Sequence, residues 1–223
     1  MSHELLTHSS HVFAPDQAAN FSLIDAQAFR SPLNHPPFGL KAWVSLKQVH
    51  GAAGVHQDIL DLKHQVEADW HYTYDRGLGL AIFVADCTAI LLRGKNHRGD
   101  FVAAIHAGWR GTAAGIIEEA LEELSPSNSL YAWLSPSICQ KDYEVDESVV
   151  QQFSSGILPF IRESRPKHYF LDLKSYQIEL LKKFKAKVWS SSLCTFCQPE
   201  FFSYRRSKAK LENRHFAWIA LSD

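Results

Sequence analysis

The stretch from Val84 to Ile116 constrains the fold more than any other part of this 223-residue chain. Val84-Ala-Asp-Cys-Thr-Ala-Ile-Leu-Leu92 and Phe101-Val-Ala-Ala-Ile-His106 are apolar almost without a break. That pattern belongs to buried strands at the centre of a sheet. After His106 the run Ala-Gly-Trp-Arg-Gly-Thr-Ala-Ala-Gly breaks at glycines and leads into an amphipathic helix ending near Ser125-Pro126. Cys87 and His106 thus sit at the ends of rigid elements. A thiol and an imidazole held in this way serve either as a Cys/His nucleophile pair or as two ligands of a zinc-like metal.

The neighbouring segments add to the same frame. Gly77-Leu-Gly-Leu-Ala-Ile-Phe-Val-Ala-Asp86 reads as a third sheet-centre strand, and Leu40 to His50 alternates well enough for a strand that delivers His50 before Gly51 and a turn. His50 is then either a hydrogen-bonded structural residue or a third metal-capable group at a strand end. Asp69 and Asp86 each read as an acid/base or orienting carboxylate, or as a turn cap. Strands are expected at Leu130–Leu134, around Lys187–Ser191 and at His215–Leu221. Helices are expected from about Glu147 to Phe153, with Asp146 as N-cap, and from Phe170 to Phe184, with Asp172 or Ser175 near its start. Residues 1–37 read as an irregular N-terminal segment with one short strand around Leu5–Phe13.

Gly108 and Gly111 permit close backbone approach, and the helix start after them offers N–H groups to an anion, with Arg110 beside it. The bland alternative is a plain strand-to-helix connection. Phe201-Phe-Ser-Tyr-Arg-Arg206 carries adjacent arginines. On a strand these point to opposite faces, so at most one of Arg205 and Arg206 reaches a given pocket.

Composition excludes several classes. With 46% hydrophobic residues, a net charge of −1 and a pI near 6.9, the chain lacks the basic field that binds nucleic acid or anionic lipid. No apolar run approaches the roughly 20 residues of a membrane span, and the start is not that of a signal peptide. A cytoplasmic, globular protein with reduced thiols is expected. Its four cysteines are Cys87, Cys139, Cys194 and Cys197. Cys139 reads as a small buried residue or as a second thiol of the site, and Cys194-Thr-Phe-Cys197 has the spacing of half a structural zinc site or of a redox pair, though it is a single Cys-x-x-Cys pair with no partner motif and no βαβ redox context.

Six motifs in order now bear on identity: Gln48-Val-His50-Gly51, Ala85-Asp86-Cys87, His106-Ala-Gly-Trp-Arg-Gly111, Tyr143-Glu-Val145, Cys194-Thr195 and Phe202-Ser-Tyr-Arg-Arg206. Together they resemble the YfiH-type family, also called multicopper polyphenol oxidoreductase or laccase-like, over roughly residues 38–221. The resemblance implies one α/β domain over residues 1–223, a layered sandwich of mixed β-sheets flanked by helices. It also implies a metal, zinc with copper as the alternative, held by His50, Cys87 and His106. The implied activity is phosphorolysis of adenosine, inosine or methylthioadenosine to free base and ribose 1-phosphate, with adenosine deamination. Purine nucleoside and phosphate are then the partners.

In that scheme Cys87, His106 and Asp86 are catalytic, and Arg110, Arg205 and Arg206 bind substrate. The chain departs from the family in lacking an Arg-x-Gly-Gly-x-Ser turn among residues 8–37, in carrying Asn213 where a Gly is usual, and in lacking glycines around Cys139. Two alternatives stand beside this reading: a metal-free Cys/His hydrolase using Cys87 and His106 on a peptidoglycan precursor, and a polyphenol oxidase.

Overall fold

The computed structural model describes residues 11–12, 19–22, 40–127, 129–208 and 213–221. In chain order the strands and helices are β1 (His11–Val12), β2 (Ala19–Ser22), β3 (Ala42–Ser45), β4 (Gly54–His56), β5 (Trp70–Thr73), β6 (Leu78–Val84), β7 (Thr88–Asn96) and β8 (Gly99–Ala107). Next come α1 (Trp109–Ala113), α2 (Ile116–Leu124), β9 (Leu130–Leu134), β10 (Glu144–Asp146), α3 (Glu147–Val150), β11 (Ile161–Arg165) and β12 (His168–Leu171). The last are α4 (Leu173–Lys183), β13 (Lys187–Ser190), α5 (Tyr204–Ser207) and β14 (His215–Ile219).

The strands form three sheets. A six-stranded sheet runs β13-β9-β7-β8-β5-β4, a five-stranded sheet runs β1-β2-β14-β6-β3, and a three-stranded sheet runs β10-β12-β11. The first two are mixed: β13 with β9, β4 with β5, and β3 with β6 pair in parallel, and their other pairings are antiparallel. This is the expected layered α/β sandwich of mixed sheets.

The apolar runs are continuous because both faces of these strands are covered. In β7, Ile90 and Leu92 join the core beneath α2 and α4, while Ala89 and Leu91 join the core against the five-stranded sheet. In β8, Phe101, Ala103, Ile105 and Ala107 face the helices, and Val102 and Ala104 face the other sheet. The period of two along a strand makes this division unavoidable. In β6, Leu80, Ile82 and Val84 point between the sheets, while Ala81 joins Phe216 and Trp218 on the outer side. Burial of these apolar faces at about 25 cal/mol per Å² is the main force that docks the layers.

The helix after His106 is broken. Gly115 takes φ +86° and divides it into α1 and α2, and α2 buries Ile116, Ile117, Ala120, Leu121 and Leu124 on one face. α4 begins as expected, with the Asp172 carboxylate accepting the Ser175 N–H at 3.0 Å. Asp146 caps α3 through the Val149 N–H, but that helix ends at Val150 rather than near Phe153.

Three expectations need correction. Tyr204–Ser207 is a helical turn, not a strand, because the Ser203 hydroxyl accepts the Arg206 N–H at 3.1 Å and starts a helix. The hairpin β11–β12 and its partner β10 went unread, since these strands are short and mostly half-exposed, and Phe170-Leu171 of β12 were counted into the helix that begins at Leu173. The N-terminal segment contributes β2, which pairs with β14; of the strand expected at Leu5–Phe13, only His11–Val12 lies within the described residues. No described helix is long and apolar enough to cross a membrane.

His71 on β5 is fully buried, and burial pushes its pKa down to about 3, with the Ala81 backbone pulling weakly the other way. Burial likewise lowers His215 to about 4. Each ring is neutral when folded and takes a proton below about pH 6.5 when unfolded. Their contribution is complete above that pH and is lost as pH falls toward the folded values. At pH 5 the loss from His71 alone is about 2 kcal/mol. The expected outcome is a melting temperature that declines between about pH 7 and pH 5 in the wild type and declines less in His71→Leu. Parallel declines would show that His71 does not carry the effect.

Candidate metal centre

Asp69, just ahead of β5, is fully buried, and its carboxylate collects four N–H donors. Oδ1 accepts from the His50 N–H at 2.9 Å and stands 2.7 Å from His106 Nδ1. Oδ2 accepts from the N–H groups of Gly51 at 2.7 Å and Val49 at 3.1 Å. Burial works against its charge, but the bonds from His106, Gly51 and His50 keep the carboxyl below its ordinary pKa. The turn that carries His50 is therefore pinned to the strand that carries His106. His50 sits at φ +63°, a left-handed backbone angle that this turn requires.

Gln48 explains how the turn reaches Cys87. Its side-chain amide donates to the Phe83 carbonyl at 2.8 Å and accepts the Phe83 N–H at 2.9 Å. It imitates a further rung of the β3–β6 pairing. β6 then turns through Asp86, at φ +83°, into Cys87 and β7, so the chain crosses here from the five-stranded to the six-stranded sheet.

The ligand atoms of His50, Cys87 and His106 all lie within 4.8 Å of one another. The two imidazole rings meet edge to face, with centroids 4.7 Å apart. A Cβ on Gly108 would stand 3.0 Å from Cys87 Sγ, and one on Gly111 would stand 2.7 Å from the Gly51 carbonyl. These glycines therefore let α1 close over the cluster. Burial opposes a charged Cys87, yet the charge and hydrogen bond of His106, followed by those of His50, hold its thiol below the usual range. His106 is raised in turn: burial opposes it, and Cys87 and Asp69 overcome that. Two imidazoles and a thiolate, with one imidazole oriented by a carboxylate, form a donor set that zinc or copper accepts.

The remaining sequence candidates divide. Arg110 is exposed and stacks its guanidinium 4.5 Å from the Trp109 ring centre. Arg205 is exposed, donates to the Glu144 carbonyl at 2.8 Å and lies 5.2 Å from the Tyr143 ring centre. Arg206 turns away: its guanidinium donates to the carbonyls of Thr195, Phe196, Gln198 and Phe201. It holds the loop before α5 together. Asp86 is likewise committed. Its carboxylate accepts from Thr195 Oγ1 at 2.6 Å, Ser203 Oγ at 3.0 Å and the Arg205 N–H at 2.7 Å, the bonding of an orienting carboxylate.

Tyr143 was singled out only within the motif Tyr143-Glu-Val145 and was given no role of its own. Burial raises its pKa above the ordinary range, and Cys87, Arg205, Asp86 and Arg110 all lie within electrostatic reach of its phenol. A tyrosine just past a polar turn carries no local signal of such a position.

Residues 26–222 match the family described as multi-copper polyphenol oxidoreductase laccase. The chain belongs to this family. A relative from Escherichia coli named purine nucleoside phosphorylase YfiH is 34% identical over 190 residues, which span 79% of this chain and 73% of the relative. A purine nucleoside phosphorylase from Xylella fastidiosa is 32% identical over 186 residues, covering 78% and 71%.

Among solved structures, YlmD from Geobacillus stearothermophilus matches with a TM-score of 0.72 and 31% identity over 81% of this chain and 74% of that one. The hypothetical protein YfiH from Bacillus licheniformis gives 0.78 over 98% of both chains at 23% identity, a likeness of fold alone. The family membership inferred from the six ordered motifs is borne out.

Asp69→Asn replaces the acceptor of four N–H groups by an amide. The variant should bind zinc about 10–100-fold more weakly in competition with a chromophoric chelator, the usual effect of losing the partner of a metal-binding histidine. An unchanged affinity would remove Asp69 from the metal site.

Proposed function

We propose that the protein is a zinc-dependent purine nucleoside phosphorylase. It takes adenosine, inosine or methylthioadenosine with phosphate to free base and ribose 1-phosphate, and deaminates adenosine at the same centre. The observation that carries this reading is the convergence of His50, Cys87 and His106, with Asp69 on the far nitrogen of His106, in a family whose relatives bear the phosphorylase name. When bound by these three residues, zinc acts as a Lewis acid at the fourth position they leave open. Copper suits the same donors and is the alternative ion.

The chain's own residues supply the rest. In phosphorolysis a phosphate oxygen bonds to C1′ of the ribose as the C1′–N9 bond breaks, and the purine departs with the electron pair and gains a proton. Arg110 and Arg205 offer exposed guanidinium groups about Tyr143, suited to a doubly charged phosphate. Tyr143, whose phenol is protonated at neutral pH, is a hydrogen-bond donor for the departing base. Asp86 positions Cys87 and Arg205 rather than moving protons.

One observation favours a second reading. Cys87, His106 and Asp69 also follow the order nucleophile, base and orienting carboxylate. A metal-free hydrolase on a peptidoglycan precursor would use those three and leave His50 idle. For polyphenol oxidation, the described residues offer one ligand set containing imidazole, whereas laccase chemistry uses several coppers.

His50 therefore separates the readings. Incubation with adenosine and phosphate followed by chromatography should yield adenine, with inosine from deamination, and both products should vanish after chelation and in His50→Ala. Turnover that survives chelation and His50→Ala would overturn the metal reading in favour of the hydrolase. Tyr143→Phe should keep its metal and lose phosphorolysis on the order of 10²-fold in kcat, the lower end for a lost proton donor. An unchanged kcat would exclude Tyr143 from that role.

A further inference from the structure

The fold also assembles the other three cysteines. Cys139 follows β9, and Cys194 and Cys197 follow β13. The parallel pairing of those strands continues past their ends as a bridge between Ser137 and Cys194, with the Thr195 N–H donating to the Ser137 carbonyl at 3.1 Å. Residues more than fifty apart in sequence are thereby brought together. Cys139 Sγ and Cys197 Sγ stand 3.7 Å apart, and Asp142 Oδ2 lies 3.0 Å from the first and 2.9 Å from the second. Cys194 Sγ accepts the Cys139 N–H at 3.3 Å. The four ligand atoms all lie within 4.8 Å of one another.

We propose that Cys139, Asp142, Cys194 and Cys197 form a second, structural zinc site, separate from the centre at His50, Cys87 and His106. The sulfur spacing fits this role. Zinc–sulfur bonds of about 2.3 Å in a tetrahedron put neighbouring sulfurs about 3.8 Å apart, whereas a disulfide needs about 2.05 Å. The N–H···S bond to Cys194 is of the kind that orients and stabilises a metal-bound thiolate. Asp142 Oδ2 now accepts both thiol S–H bonds, so it already points at the place where an ion would replace those protons. Binding releases the thiol protons of Cys139, Cys194 and Cys197 to solvent and leaves three thiolates and a carboxylate about the ion.

Two lysines moderate that negative charge. Lys141 lies beside Cys197 and Asp142, and the largely buried Lys174 lies within electrostatic reach of Cys194 and Cys139. Four protein donors close the coordination shell, which marks a structural ion; the first centre has three. The site fastens the loop whose Thr195 hydroxyl holds Asp86, the residue before Cys87.

The test is metal content after zinc reconstitution under reducing conditions and desalting. The wild type should carry two zinc ions per chain. Cys139→Ser/Cys197→Ser should carry one, and His50→Ala/Cys87→Ala should carry one. Cobalt in place of zinc gives a readout that leaves the new site intact: His50→Ala/Cys87→Ala should retain the strong absorption of thiolate-to-cobalt charge transfer, and this decides the matter even if the double serine variant does not fold. A single zinc per wild-type chain that is lost in His50→Ala/Cys87→Ala and kept in Cys139→Ser/Cys197→Ser, or loss of that absorption in His50→Ala/Cys87→Ala, would overturn the proposal. So would a Cys139–Cys197 disulfide found by peptide mass mapping in the reduced, zinc-treated protein.

Discussion

A buried carboxylate holds the site together. Asp69 is wholly removed from water, and a charge in that position is costly unless every lone pair meets a donor. Here the donors are three successive backbone N–H groups, from Val49 to Gly51, and the ring of His106. The same residue's backbone carbonyl accepts the His106 N–H at 2.7 Å, and its N–H donates to the Ala53 carbonyl at 2.9 Å. One residue therefore sets the height of His106 on its strand and the path of the turn that carries His50. The site cannot form apart from the fold, because its geometry is the solution to burying that charge.

The layers supply the rest of the precision. β7 and β8 are covered on both sides, and small residues between the sheets, such as Ala89, Ala104 and Ala217, allow close approach. Gln177 on α4 reaches through the core to donate to the Ala107 carbonyl at 2.7 Å and to the Thr112 hydroxyl at 3.0 Å, so the turn after His106 is fixed from the helical side as well. Rigid elements surround every donor. Long side chains at loop tips would not hold three ligand atoms at contact distance without an ion.

What could be read from the sequence follows from range. Continuous apolar runs and glycine breaks are local signals, and they gave the central strands, the capped helix at Leu173 and the positions of Cys87 and His106 at element ends. The three-stranded sheet gave no such signal, because strands like Ile161-Arg-Glu-Ser-Arg165 cover an edge and bury little. Arg205 and Arg206 were placed on a strand, whereas Ser203 caps a helical turn there. Asp69 and Cys139 were hardest: the carboxylate meets His106 from 37 residues away and Cys139 meets Cys197 from 58. Neither pairing leaves a periodicity or a fixed short spacing. Only the order of strands in the sheets creates them.

The crossing at Asp86 has a consequence for how the two large sheets sit on each other. His50 hangs from the end of the five-stranded layer, His106 belongs to the six-stranded layer, and Cys87 lies on the strap of chain that joins them. The three donors act as a gauge of the gap between layers. A substitution far inside the interface that thickens it by a methyl group spreads the donors apart. The spacing of the donors and the registry of the sheets are one quantity seen from two sides.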